Sequence, residues 1–118
     1  MLKTIVVLSA FVACAFGCSA VLTTTCTRPT ITGLTTTEAA TTVWPVALKH
    51  GYTFTVGLDA ECARLNPAKP NARVTESNGS VHTITSTSNV IICTGDGKTH
   101  VVDGTHFAQG VTNWECYA

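Results

Sequence analysis

Cysteines at positions 26, 62, 93 and 116 are spread along most of this chain, and the segment that precedes them decides how they can be used. Met1-Leu2-Lys3 carries one positive charge, and Thr4 to Phe16 is almost wholly apolar with no charge at all. Small residues follow at Ala15, Gly17 and Ala20. A short basic start, an apolar run and small residues in that order describe a secretory signal peptide, expected over residues 1–20. The run falls short of the ~20 apolar residues that a membrane span requires, and no basic cluster follows it. The expectation is therefore a secreted, extracellular protein with no membrane insertion after cleavage, and one domain over residues 21–118. An oxidising compartment preserves disulfides, so the four later cysteines are expected to form two.

Where the leader is cut changes the thiol count. Cleavage after Gly17 leaves Cys18 as an odd fifth cysteine, whereas cleavage after Ala20 leaves four; both sites stay open. A lipoprotein leader is a third reading, because Ala13 and Gly17 each precede a cysteine. The remaining hundred or so residues bury only roughly two-thirds of their unfolded surface, so cross-links matter. Four cysteines allow three pairings. The pairing expected here is Cys26–Cys62 with Cys93–Cys116.

Periodicity points to strands. From Thr23 to Thr42, eleven of twenty residues are threonine, a β-branched residue that favours extended backbone. Thr30-Ile31-Thr32 and Thr41-Thr42-Val43 are the strands expected there, against the alternative of an extended O-glycosylated tether. Tyr52, Phe54, Val56 and Leu58 alternate with small or polar residues, as in a strand with one buried face. Asp59 to Leu65 reads as a turn or two of helix that Asn66-Pro67 stops. Asn78-Gly79, Asp96-Gly97 and Asp103-Gly104 then mark tight turns between runs at 81–85, 90–94, 99–102 and 111–116. Short strands joined in this way predict an all-β fold, a small antiparallel, disulfide-stabilised sandwich of immunoglobulin-like size.

The stretch richest in chemistry is Thr94-Gly95-Asp96-Gly97-Lys98-Thr99-His100-Val101-Val102-Asp103-Gly104-Thr105-His106. Its Gly-Lys-Thr lacks the glycine that a phosphate loop needs five positions earlier, where Ile92 stands, and no helix pattern follows. Asp96, His100, Asp103 and His106 are ligand types for zinc, but their spacing fits no defined site, so no metal and no cofactor are expected. Exposed hairpin histidines are the expected reading of His100 and His106. No serine lies in a Gly-x-Ser-x-Gly turn, and cysteines held in disulfides are not nucleophiles. Asn78-Gly79-Ser80 is an N-glycosylation acceptor at a predicted hairpin tip. Trp114 is expected in the core beside a disulfide, and Trp44, next to Pro45, is the possible binding residue.

With those residues in view, the chain resembles the small secreted six-cysteine domain proteins of nematodes. The threonine-rich start, Asn78-Gly79, Val90 to Lys98 and the ending Val111 to Cys116 carry the resemblance. Three departures are the spacing of Cys18 and Cys26, the presence of Thr99 where an aromatic often follows Gly-Lys, and an expected mature chain that does not supply six cysteines. The resemblance implies a secreted β-rich domain and brings no catalytic residues. The formal net charge is zero and no basic stripe exists, which speaks against nucleic acid and anionic membrane surfaces as partners. The expected function is a secreted binding or structural module, not an enzyme, whose partner is an extracellular protein or a glycan. The alternative is a small hydrolase or metal-dependent enzyme using the Asp96–His106 hairpins.

Overall fold

The structure is a computed structural model that describes residues 24–118, so the expected leader over residues 1–20 and its cleavage site lie outside the described residues. The threonine-rich start does form strands. β1 (Thr25–Thr27) pairs with β3 (Ala47–Lys49) in a two-stranded ribbon. The first four-stranded sheet runs β2 (Thr30–Thr32), β10 (Asn113–Tyr117), β5 (Asn71–Thr75), β6 (Val81–Thr83). The second runs β4 (Thr53–Val56), β7 (Asn89–Cys93), β8 (Thr99–Asp103), β9 (His106–Ala108). Pairing is antiparallel throughout, except that β2 lies parallel to β10. The chain is thus the all-β, disulfide-stabilised sandwich that its periodicity predicts.

The core is built where alternate residues of both sheets meet. Ala72, Val74 and Trp114 come from the first sheet, and Ile91, Val101 and Ala108 from the second. One end is closed by α2 (Leu58–Leu65), whose Leu58, Cys62 and Leu65 recur on one helical face and are buried. Asp59 and Glu61 in its first turn and Arg64 in its last complement the helix dipole. Asn66, in extended backbone before Pro67, ends it as expected. The strand read from Tyr52 to Leu58 stops at Val56, because Gly57 becomes the residue before the helix. A Cβ at Gly57 would sit 2.5 Å from the Thr87 carbonyl oxygen, so only glycine lets these two backbones approach. The turn glycines Gly79, Gly97 and Gly104 have φ of 90°, 82° and 62°, the left-handed backbone that their Asn-Gly and Asp-Gly pairs announce.

Three expectations are corrected. The cysteines pair Cys26–Cys93 and Cys62–Cys116, not Cys26–Cys62 and Cys93–Cys116. The physical reason is burial direction: Cys62 points from α2 onto β5 and β10, where Cys116 points inward, while Cys26 on β1 lies beside the end of β7. The closed loops span separations of 67 and 54 residues, each contributing about 4 kcal/mol in the chain-entropy model. Second, Thr41-Thr42-Val43 forms no strand. It follows α1 (Thr36–Ala39), a single turn held by a capping box in which the Thr35 hydroxyl accepts from the Glu38 amide and Glu38 accepts from the Thr35 amide. Third, β5 was not expected, yet it is a central strand flanked by β10 and β6.

Candidate functional site

The 94–106 stretch divides into two separate clusters at opposite ends of the β7–β8 hairpin. At the turn end, Asp96 accepts from the Thr94 hydroxyl and from the Lys98 amide (3.2 Å). His100 is buried, not exposed as expected. Its Nδ1 accepts from the Gly110 N–H (3.0 Å), so the ring proton sits on Nε2 and is donated to the Thr94 hydroxyl (2.9 Å). Both ring nitrogens are therefore committed, which makes His100 a bracket between the hairpin and the Gly110 loop. Gly97-Lys98-Thr99 is a turn running into β8, with Thr99 pairing with Cys93.

The other end holds Asp103, 2% exposed. Its carboxylate accepts from the amides of Thr85 and Ser86 (both 2.9 Å), the Thr85 hydroxyl (3.2 Å) and the Asn89 side-chain amide (2.7 Å). His82 Nε2 completes the set at 2.6 Å. Burial opposes ionisation, but the His82 bond, the two amides and the Thr85 hydroxyl outweigh it and hold Asp103 down at about 2. An ionised Asp103 can only accept, so His82 Nε2 carries a proton. Asn89 passes the network on, accepting from the Leu58 amide at the start of α2 (2.9 Å).

His106 joins this cluster from β9. Its ring stacks on His82 at 3.8 Å with planes 8° apart, and its Nε2 bonds to Glu76 (2.9 Å). That bond, aided by the Gln109 amide, keeps the Glu76 carboxyl below its ordinary range despite partial burial. His82 lies on the edge strand of the first sheet and His106 on the edge strand of the second, so the stacked pair closes the seam of the sandwich. Two parallel rings 3.8 Å apart aim their in-plane lone pairs along separate planes, which suits a staple and not a shared ligand. Among the described residues, no group of three or more His, Cys, Asp or Glu is arranged to hold a metal ion.

Trp44 is the clearest correction among the candidate residues. It is 2% exposed, with its ring 5.3 Å from that of Trp114, so it belongs to the core and offers no binding surface. Glu61 draws it inward by accepting from the Val43 amide (2.8 Å) and the Thr42 hydroxyl (3.1 Å). The Arg64 guanidinium, bonded to the same carboxylate, holds Glu61 below its usual range against the effect of burial. Trp114 is fully buried, as expected, with its Nε1–H lacking a partner among the described residues. Asn78 is exposed at the β5–β6 turn, where its side-chain oxygen accepts from the Ser80 amide (2.8 Å).

Besides a smaller groove of about 290 Å³ lined by Ser77, Lys98 and Thr112, two surfaces among the described residues can receive a partner. One is a groove of about 500 Å³ between β2, α1 and the β1–β3 side of the molecule. Thr27, Thr30, Thr35 and Thr36 line it together with the apolar Ile31 and Leu34. Arg28 lines it as well, one guanidinium nitrogen donating to the Trp44 carbonyl (2.8 Å). The other is the outward face of the second sheet, where Val90, Ile92 and Val102 are half-buried and Phe107 is 43% exposed. Neither surface was read from the sequence. The threonine pattern that lines the groove suggested strands or a glycosylated tether, and the capping box Thr35-x-x-Glu38 was the overlooked sign of its helical wall. No protein-family model, curated protein or solved structure matches this chain.

Proposed function

We propose that the protein is a secreted binding module whose ligand site is the threonine-lined groove. One observation carries this reading: several threonines, Arg28 and the apolar Ile31 and Leu34 line one concave surface. That chemistry suits a ligand presenting hydroxyl or amide groups beside an apolar edge, as the end of a glycan or an extended segment of an extracellular protein does. The two disulfides support the extracellular assignment, since such bonds persist in oxidising compartments.

The test is a glycan array and an extracellular-peptide library probed with the wild type and with Thr36→Trp and Thr30→Trp. Both threonines are exposed, so the indoles fill the groove without disturbing the core. Selective binding that both substitutions abolish is the expected result; ligands that bind the filled groove equally well overturn the reading. Expression of the full chain in eukaryotic cells tests secretion and Asn78 together. The protein should reach the medium and lose mass on treatment with a peptide N-glycosidase, and Asn78→Gln should show no such loss.

A further inference from the structure

Register defines two rows of side chains across the outward face of the second sheet. One reads Thr55, Val90, Val102, Phe107 and the other Thr53, Ile92, His100. Strand alternation sets these residues opposite the buried Ile91, Val101 and Ala108. Neither row contains an aspartate, glutamate, lysine or arginine. His100 is held by Thr94 and Gly110, with the Phe107 ring stacked beside it at 5.2 Å. A solvated sheet face ordinarily turns polar residues outward, whereas four of the seven positions here are apolar.

We propose that a second copy of the same chain covers it, the two sheets lying face to face across a two-fold axis along the strands. Such an axis reverses the row, setting Phe107 of one copy against Thr55 of the other and Val102 against Val90. Large then meets small at both edges and valine meets valine in the middle, so this row complements itself in volume. It also complements itself in charge, because an uncharged face desolvates no ion when it meets its own copy. The outward face of the first sheet, with Arg73 and Glu115, has no such fit to it. Strands spaced about 4.8 Å apart with a rise of about 3.4 Å per residue make the face roughly 20 by 17 Å. That is below the standard interface size, so the dimer is weak and concentration-dependent.

Sedimentation velocity on the oxidised protein, over about 1 μM to about 1 mM, reads this directly, since weak interfaces dissociate within that span. Non-reducing electrophoresis of the same sample identifies any disulfide cross-link through Cys18, so that it cannot imitate the dimer. The weight-average mass should rise toward twice the monomer, and Val102→Glu, Phe107→Glu and Thr55→Glu should each weaken association by about tenfold or more. Thr55 is exposed, so its variant folds whatever becomes of the other two. Thr83→Glu, on the outward face of the first sheet, and the groove variant Thr36→Trp should associate as wild type does. A wild type that stays monomeric throughout overturns the proposal and leaves the face to a different protein. Association unchanged in Val102→Glu and Thr55→Glu overturns it as well.

Discussion

The first sheet sends Ala72, Val74 and Trp114 inward and presents Arg73, Asn113 and Glu115 to solvent, while the second buries Asn89, Thr99 and Asp103 beside Ile91 and Val101. The second sheet also turns Val90, Val102 and Phe107 outward. One fold therefore contains a conventional sheet and one whose polarity is partly inverted. The conventional sheet shows what water alone requires. Its outward charges pair at 2.7 Å, and the Arg73 guanidinium lies 4.2 Å from the Tyr117 ring. The inverted sheet shows that a carboxylate can sit among core residues when several donors converge on it. It shows equally that an apolar face turned outward needs an explanation other than solvation.

The largest test of this contrast lies inside the second sheet. Asp103→Ala strands the amides of Thr85 and Ser86, the Asn89 side chain and His82 without their acceptor, and should cost about 3–5 kcal/mol in chemical denaturation. A loss below about 1 kcal/mol would show that Asp103 is dispensable and that the inversion is only apparent.

Acid titration is the next step down. Because the Asp103 carboxyl is depressed in the folded state, its contribution is complete above about pH 4 and is lost as pH falls toward 2. A shift from 3.8 to about 2 corresponds to about 2 kcal/mol. Glu61 and Glu76, also held low, act in the same direction, and Asp59, which burial raises, opposes them. The Asp103→Asn variant isolates the effect: its denaturation midpoint should fall less steeply than that of wild type between pH 4 and pH 2. Equal slopes in the two proteins contradict the assignment.

The smallest effects are expected on the two outward faces. Val102→Thr exchanges a half-buried methyl for a hydroxyl and should cost about 1 kcal/mol or less in the dilute monomer. Arg73→Ala on the first sheet should leave the denaturation midpoint within error, since a surface ion pair adds little. The contrast sharpens if Val102→Thr nevertheless weakens self-association while Arg73→Ala does not. It breaks if the two behave alike at every concentration.

Much of the fold was legible from local chemistry. The Asx-Gly pairs located the turns at 78–79, 96–97 and 103–104, and Pro67 located the end of α2. β5 escaped because Asn71-Ala72-Arg73-Val74-Thr75 holds just two apolar residues, too few to make a period visible. Its standing as a central strand comes from pairing with β10 and β6 on either side. The histidine cluster beside Asp103 escaped for a related reason. His82 and His106 stand twenty-four positions apart, and nothing local announces that their rings stack.

Composition, alternation and turn residues were enough for the sequence itself to determine an all-β chain with cysteines placed for disulfides. Those properties depend on neighbours a few positions away, through backbone sterics and alternation. Only the tertiary structure decided which cysteines pair, that Trp44 is core, that Asp103 gathers a loop and His82, and which sheet turns apolar residues outward. Each of these depends on which strand lies beside which. Many such arrangements are compatible with the same alternating pattern, and packing of the whole chain selects among them.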